Sequence, residues 1–494
     1  MPRSWRGFTA AALALPLALS ACGGAADAGA GAAATLKWAA SSFPTHWDPV
    51  VSGSGAQFRQ LALVYASLTR TDAKGNPVPD LAESWTYNKT GDEITFHLRS
   101  GAIFTDGTPV DAAAVKAAIE RAKTQKNSAL FGDLTSIKSV TTSGALDVVV
   151  HLTQTDYQIP LLLGERVLQI ASPKAAADPA KLDQNPVGAG PFIVTQLIPG
   201  TKAVLKKNPN YWDADDINID NVELVSAPDA STVVAGLQTG VYNFADIPSS
   251  QAKAAKAAGL DVFVQPGFNA SNISLNVNKA PFTDPKVVDA VRYAVNRQEF
   301  VDKLTFGYGQ ATNQPFPPGY VAYDPGKAKQ LLGAAGIAPG QLTLDLVIPE
   351  AQPASEIVQS QLAAVGIKVN IKIDKNWATP FFAKQLVFSL YGTTGRDSAL
   401  QTLTAHFGPN GPLNLSTPYE PAGFEAAVAK VRRTPIESPE YPALLQAATR
   451  SGLQTKALVF TYSTPNLFAK SKSVSALPGN PGHVDWTGVT IGAK

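Results

Sequence analysis

Three short patterns in the chain carry residue types that could perform serine acyl transfer. Ser250-Gln251-Ala252-Lys253 fits Ser-x-x-Lys, Ser274-Leu275-Asn276 fits Ser-x-Asn, and Lys89-Thr90-Gly91 fits the third element of penicillin-binding enzymes. Their order argues against that chemistry: the Lys-Thr-Gly element should close the series, yet it comes first, in a stretch that reads as a hairpin turn. Neither Gly-x-Ser-x-Gly nor His-Glu-x-x-His occurs. The five histidines, at positions 46, 97, 151, 406 and 483, show no metal-ligand spacing, so neither a direct metal site nor a cofactor is expected.

Groups suited to binding are easier to find. Arg396, in Gly395-Arg396-Asp397, offers a planar fork that suits a carboxylate or phosphate, unless Asp397 or another acid of the chain already satisfies it. Trp377 offers a ring for stacking on a ligand or for burial in a core. His46 and Trp47 lie in Phe43-Pro44-Thr45-His46-Trp47-Asp48-Pro49, where two prolines oppose helix and sheet. Its aromatic side chains either line a cleft or pack within the loop.

Composition bounds what such groups can serve. The chain has 494 residues, 45% hydrophobic and 16% charged, which describes a folded protein of more than one lobe. A formal charge of +2 is too small for a nucleic-acid partner. The one cysteine, Cys22, follows Leu19-Ser20-Ala21, and ahead of these stand Arg3, Arg6 and an apolar run over residues 8–19. This arrangement resembles the lipobox of bacterial lipoproteins. Residues 1–21 then read as a signal peptide, Cys22 as the lipidated mature N-terminus, and residues 22–34, rich in Gly and Ala, as a flexible lipid-anchored linker. No other uninterrupted apolar stretch of about 18 residues follows, so the body is expected to meet a membrane only through lipid.

The elements that must position the binding groups follow from periodicity. Residues 36–39 and 93–98 read as strands, and residues 57–68 as a helix with Leu61, Val64, Tyr65 and Leu68 on one face. Asp106-Gly107 reads as a turn leading past Pro109 into a helix that carries Val115, Ile119 and Ala122. Residues 146–152 are strand-like. Asp284-Pro285 and Asp324-Pro325 each place an Asp cap before a proline at the first helical position. Strand 342–348, helix 356–365 and strand 367–373 then predict a parallel pair.

Several motifs in order resemble one family. They are Leu81-Ala82-Glu83-Ser84-Trp85, Thr95-Phe96-His97-Leu98-Arg99-Ser100-Gly101, Phe104-Thr105-Asp106-Gly107-Thr108-Pro109-Val110, Asn185-Pro186-Val187-Gly188-Ala189-Gly190-Pro191-Phe192 and Asn208-Pro209-Asn210-Tyr211-Trp212. Together with Asn296-Arg297 they resemble the peptide- and nickel-type solute-binding proteins of ABC importers, over roughly residues 36–470. In the residues themselves, Gly188 and Gly190 beside Pro186 and Pro191 suggest a sharp turn, and Trp85, Tyr211 and Trp212 bring apolar area to a core.

The resemblance implies an α/β, two-lobed periplasmic-binding-protein fold of class II type with an extra inserted subdomain. Lobe I would comprise residues 35–58, 182–265 and 468–494, the inserted subdomain 59–181, and lobe II 266–467. The lobes would close like a hinged trap about crossing segments near 264–268 and 463–469. It further implies that Trp377 stands on the cleft wall, that the segment from Tyr391 to Arg396 and Asp397 is a recognition loop, and that Phe268 at the crossing, with Trp47 and His46, borders the ligand. In peptide-binding members an acid in that loop pairs with the ligand's amino group, and here Arg396 stands at or beside that position. The expected partners are a peptide or small-molecule ligand, the membrane permease subunits of an importer, and the membrane through a lipid anchor. The protein is expected to be a monomer and no enzyme. The favoured solute is peptide-like, zwitterionic or anionic. A metal chelate, an oligosaccharide or a non-transport sensing role on the same fold are the alternatives.

Overall fold

The computed structural model describes residues 33–52, 55–227, 229–265, 269–312, 323–393, 398–409, 411, 413–414, 421–477 and 484–492. Residues 34–494 make one compact unit. Cys22, the segment before it and most of the linker lie outside the described residues, as do Phe268, Arg396, Asp397 and His483.

Seven strands form one sheet, in the order Asp261–Gln265, Asn466–Lys470, Phe244–Asp246, Thr35–Ala40, Asn221–Ser226, Lys202–Lys207 and Phe192–Ile198. Thr35–Ala40 is flanked by parallel neighbours on both sides, and the outer strands are antiparallel. Thr35–Ala40 and Phe244–Asp246 are largely buried, as parallel strands are when both faces are covered, while in Asn221–Ser226 only Val222 and Leu224 are. Trp38 packs edge-on against Phe244, with ring centres 5.4 Å apart, and 5.8 Å from Trp486. This sheet and its helices are the first lobe.

The second lobe is built on six strands, in the order Gln310–Ala311, Leu458–Ser463, Ala270–Leu275, Phe388–Thr393, Thr343–Ile348 and Lys368–Ile373. The last two pair in parallel around the helix Pro353–Ala363, as the strand–helix–strand pattern predicts. Asp284 caps the helix Pro285–Ala294, accepting from Lys286 N at 2.8 Å, and Asp324 caps Pro325–Ala334 through Lys327 N at 2.8 Å. Between residues 82 and 152 a four-stranded antiparallel sheet, Ala82–Tyr87, Glu93–Leu98, Asp147–Leu152 and Ile137–Ser143, stands beside the helix Ala112–Thr124. Its apolar face is continuous with the first lobe's core, for Phe96, Val115 and Val150 belong to the same buried cluster as Trp38 and Leu224.

The chain passes between the two large sheets twice, after Gln265 and after Ser463. At that crossing Asn466 ties the two segments together, accepting from Asn269 Nδ2 at 3.2 Å and donating to Gln265 Oε1 at 3.4 Å.

One expected helix is shorter than its pattern. The helix is Gly55–Leu61, and Val64, Tyr65 and Leu68 are buried beyond its end. Their backbone is engaged by other segments: Gly190 N donates to Val64 O and Phe192 N to Leu63 O, each at 2.8 Å, and Ala82 N donates to Leu68 O at 3.0 Å. Apolar residues at helical spacing thus stay buried while the hydrogen bonds leave the helix.

Candidate functional site

A cavity of about 540 Å³ lies between the inserted sheet's loops and the second lobe. That size suits a small ligand. Phe131, Asp133, Ser136, Asp156 and Gln158 line one side, and Ser398, Gln401, Thr404, Glu425 and Arg432 the other. Gln401 is positioned by a capping box: Ser398 Oγ accepts from Gln401 N and Gln401 Oε1 accepts from Ser398 N, both at 3.1 Å. With its oxygen so engaged, its Nε2 is buried and makes no hydrogen bond among the described residues. Across the cavity Gln158 Oε1 accepts from Tyr441 Oη at 2.8 Å, and its Nε2 is likewise buried and unpaired among the described residues. A buried amide donor without an acceptor costs about 1–3 kcal/mol, and the two residues that carry such donors both line this cavity.

The same border is clasped. Asp156, a largely buried part of the cavity wall, receives Arg432 Nη1 at 2.8 Å, and Tyr157 N donates to Arg432 O at 2.8 Å. Burial pushes the Asp156 carboxyl above its ordinary range, and the Arg432 guanidinium works against that shift. Tyr87 Oη donates to Asp156 O at 2.8 Å from the inserted sheet.

The residues expected from sequence occupy other places. Trp377 stacks on Phe381 with ring centres 4.0 Å apart and donates from Nε1 to Ser389 Oγ at 2.7 Å. Tyr391 is buried, edge-on to Phe381 at 4.5 Å, and its hydroxyl has no partner among the described residues. Burial pushes that hydroxyl's pKa upward. Trp377, Phe381 and Tyr391 thus form one aromatic group. His46 and Trp47 are in the first lobe: His46 Nδ1 lies 2.7 Å from Asp183 Oδ2 on the surface, and Trp47 is buried against Phe43. None of these four lines the cavity described above.

The histidines are otherwise engaged. His97 pairs with Asp147, His151 with Glu93, and His406 Nδ1 lies 2.7 Å from Thr402 O. No group of three or more His, Cys, Asp or Glu that could hold a metal ion occurs among the described residues. Of the acyl-transfer look-alikes, Lys89-Thr90-Gly91 is a turn between inserted strands, Ser250 lies in a short first-lobe turn, and Ser274 is buried in a second-lobe strand. Among the described residues no helix is long and apolar enough to cross a membrane.

Comparison with known proteins decides the family. The model for bacterial extracellular solute-binding proteins, family 5 Middle, matches residues 76–412. This chain belongs to family 5. Di/tripeptide-binding protein 3 of Pseudomonas aeruginosa (strain UCBPP-PA14) is 30% identical over 389 residues, 69% of this chain and 72% of that protein. The glutathione-binding protein GsiB of Salmonella paratyphi A is 33% identical over 308 residues, 59% of this chain and 60% of that one. DppA from Helicobacter pylori, in complex with the peptide STSA, superposes with a TM-score of 0.79 at 21% identity, covering 93% of this chain and 98% of that one. The family 5 reading of the motifs and of the two-lobed α/β fold therefore holds, and the protein is an extracytoplasmic solute-binding component of the importer type.

Sequence reasoning misses five residues at or beside this cavity: Asp156, Gln158, Gln401, Arg432 and Tyr441. Ser398-Ala399-Leu400-Gln401 has the spacing of a capping box and is a readable signal for Gln401. Asp156 and Arg432 stand 276 positions apart, and no local pattern joins them.

Proposed function

We propose that this protein captures a peptide-like or small zwitterionic or anionic solute and passes it, unchanged, to the permease of an ABC importer. The observation that carries this reading is the pair of amide donors without partners among the described residues on Gln158 and Gln401, which line one cavity from opposite sides. Carbonyl and carboxylate oxygens are the acceptors they lack, and relatives named for di/tripeptides and glutathione bind molecules rich in both. The protein works as a monomer, held at the outer face of the membrane by lipid on Cys22, and carries out no chemistry.

A thermal-shift screen of dipeptides, glutathione, opine-like conjugates, oligosaccharides and metal chelates tests the reading. A cognate solute at ~100 times its dissociation constant stabilises the folded state by roughly 2.7 kcal/mol. Gln401→Glu keeps the capping acceptor, removes the donor and adds a negative charge. It is expected to weaken an anionic hit about 10-fold or more while the melting temperature without ligand stays put. Stabilisation by neutral oligosaccharides alone would refute the reading. Separately, Cys22→Ser is expected to shift the protein from the membrane fraction to the soluble one; an unchanged distribution would show that residue 22 carries no anchor.

A further inference from the structure

The first lobe presents a second unsatisfied group, at the place where an open α/β sheet receives ligands. Thr35–Ala40, Asn221–Ser226 and Phe244–Asp246 run parallel, and ligands of such sheets bind in the crevice beyond the strands' carboxyl ends. Ser41 and Asp246 mark that edge, with Ser41 N donating to Asp246 Oδ2 at 3.0 Å. Asp246 pairs in register with Phe468, on the strand that follows the second crossing between the sheets.

Onto this edge the helix Gly55–Leu61 projects Arg59, whose guanidinium carbon lies 5.7 Å from the centre of the Phe468 ring. Among the described residues Arg59 makes no hydrogen bond and no ion pair within 4.0 Å. Its Nε is buried and unpaired, while the residue as a whole is half-buried, which leaves the outer edge of the fork open. The neighbouring Phe58 carries the Arg166 guanidinium over its ring at 5.3 Å, and Arg166 pairs with Asp133 at 2.6 Å. Asp133 lines the inter-lobe cavity, so the helix bearing Arg59 stands next to that cavity's wall.

Other buried cations among the described residues have acceptors: Arg166 has Asp133, Arg121 has Asp48, Lys470 has Asp261, and Arg297 donates to the carbonyls of Val295 and Phe460. Arg59 differs. Burial lowers its proton affinity and the charge of Asp246 opposes that shift from beyond contact distance. A desolvated guanidinium without acceptors is unfavourable, and a planar two-oxygen anion is the partner its fork fits best.

We propose that Arg59 is the carboxylate-gripping residue of the solute site, holding the carboxylate of the captured molecule against Phe468 at the hinge edge of the first lobe. This rests on the reading of the protein as a binder of peptide-like or anionic solutes, and adds which end of the solute meets which lobe. The second lobe's side of the cavity, with Gln401, then faces the rest of the molecule.

Titration calorimetry with glutathione and the dipeptide Ala-Leu, each as free acid and as C-terminal amide, tests the proposal on wild type, Arg59→Gln and Arg59→Lys. Wild type is expected to prefer the acid. Arg59→Gln is expected to weaken acid binding roughly 10- to 100-fold and leave amide binding nearly unchanged, while Arg59→Lys keeps some of the preference. A wild type that binds acid and amide equally would overturn the role of Arg59 while leaving the peptide reading intact. So would an Arg59→Gln protein that melts lower but keeps its acid-to-amide ratio, the mark of a purely structural arginine. No binding of either probe in either form, with binding of a neutral oligosaccharide, would overturn both.

Discussion

Arg432→Ala is expected to raise the dissociation constant for a captured solute by roughly 10- to 100-fold with both lobes still folded. The argument begins at Asp156, whose side chain is 4% exposed and receives Arg432 Nη1 at 2.8 Å. Removing the guanidinium leaves a buried carboxylate without its charged partner. Full loss of such a partner costs about 3–5 kcal/mol, and since Arg432 is itself 21% exposed, a charge-assisted hydrogen bond of about 1.5–3 kcal/mol is the better measure. That penalty falls on the conformation in which the inserted subdomain meets the second lobe, because separating them returns Asp156 to water. At 1.4 kcal/mol per factor of ten, the closed state loses one to two decades of population, and apparent affinity falls with it. Calorimetry should show the weaker binding, and small-angle scattering should show incomplete compaction at solute concentrations that saturate wild type. Tyr441→Phe removes only the hydrogen bond to Gln158 and should have a smaller effect in the same direction. Unchanged affinity in Arg432→Ala, accompanied by a lower melting temperature, would show that the clasp persists in both conformations and that the inserted subdomain travels with the second lobe.

The clasp also shows where reading the sequence stops. Local features were legible because their causes are local. Asp284-Pro285 and Asp324-Pro325 announced helix starts, the alternation over residues 93–98 a strand, and Asp106-Gly107 a turn, in which Gly107 takes φ +79° and Thr108 N donates to Asp106 Oδ1 at 3.0 Å. The family was legible because short motifs recur in fixed order. The cavity was not. Its walls come from residues 131–158 and 398–432, each polar group unremarkable in its own segment and informative only once its partner, or the lack of one, is known. Arg59 illustrates the point most sharply: an arginine on an otherwise ordinary helix becomes a candidate binding residue only when the acceptors around it have been placed. Trp377 is the reverse case, legible by position within the family, yet engaged in the structure by Phe381 and Ser389.

The glycines of Pro186-Val187-Gly188-Ala189-Gly190-Pro191 carry the largest expected effect on stability, for a reason different from the one their neighbours suggest. The sequence reads as a sharp turn, for which glycine would supply a positive φ, yet neither Gly188 nor Gly190 takes one. What they provide is proximity. A Cβ on Gly188 would stand 2.2 Å from Val64 O, and one on Gly190 would stand 2.6 Å from Val64 C. Both obstacles are backbone, which cannot swing aside as a side chain can. The approach is needed because Gly190 N donates to Val64 O and Phe192 N to Leu63 O, taking over carbonyls left open where the helix Gly55–Leu61 ends. Gly188→Ala must therefore push these hydrogen-bonded segments away from each other in the core of the first lobe. It is expected to cost about 3 kcal/mol or more, at the upper end of overpacking effects. Gly107→Ala, with φ +79° but nothing within 4 Å of the new methyl, should cost only about 1 kcal/mol. Urea unfolding followed by tryptophan fluorescence distinguishes the two. Because Val64 and Leu63 directly follow the helix that carries Arg59, a Gly188→Ala protein that still folds should also bind solute more weakly. Equal midpoints for the two variants would show that the backbone around Val64 yields more readily than its hydrogen bonds imply.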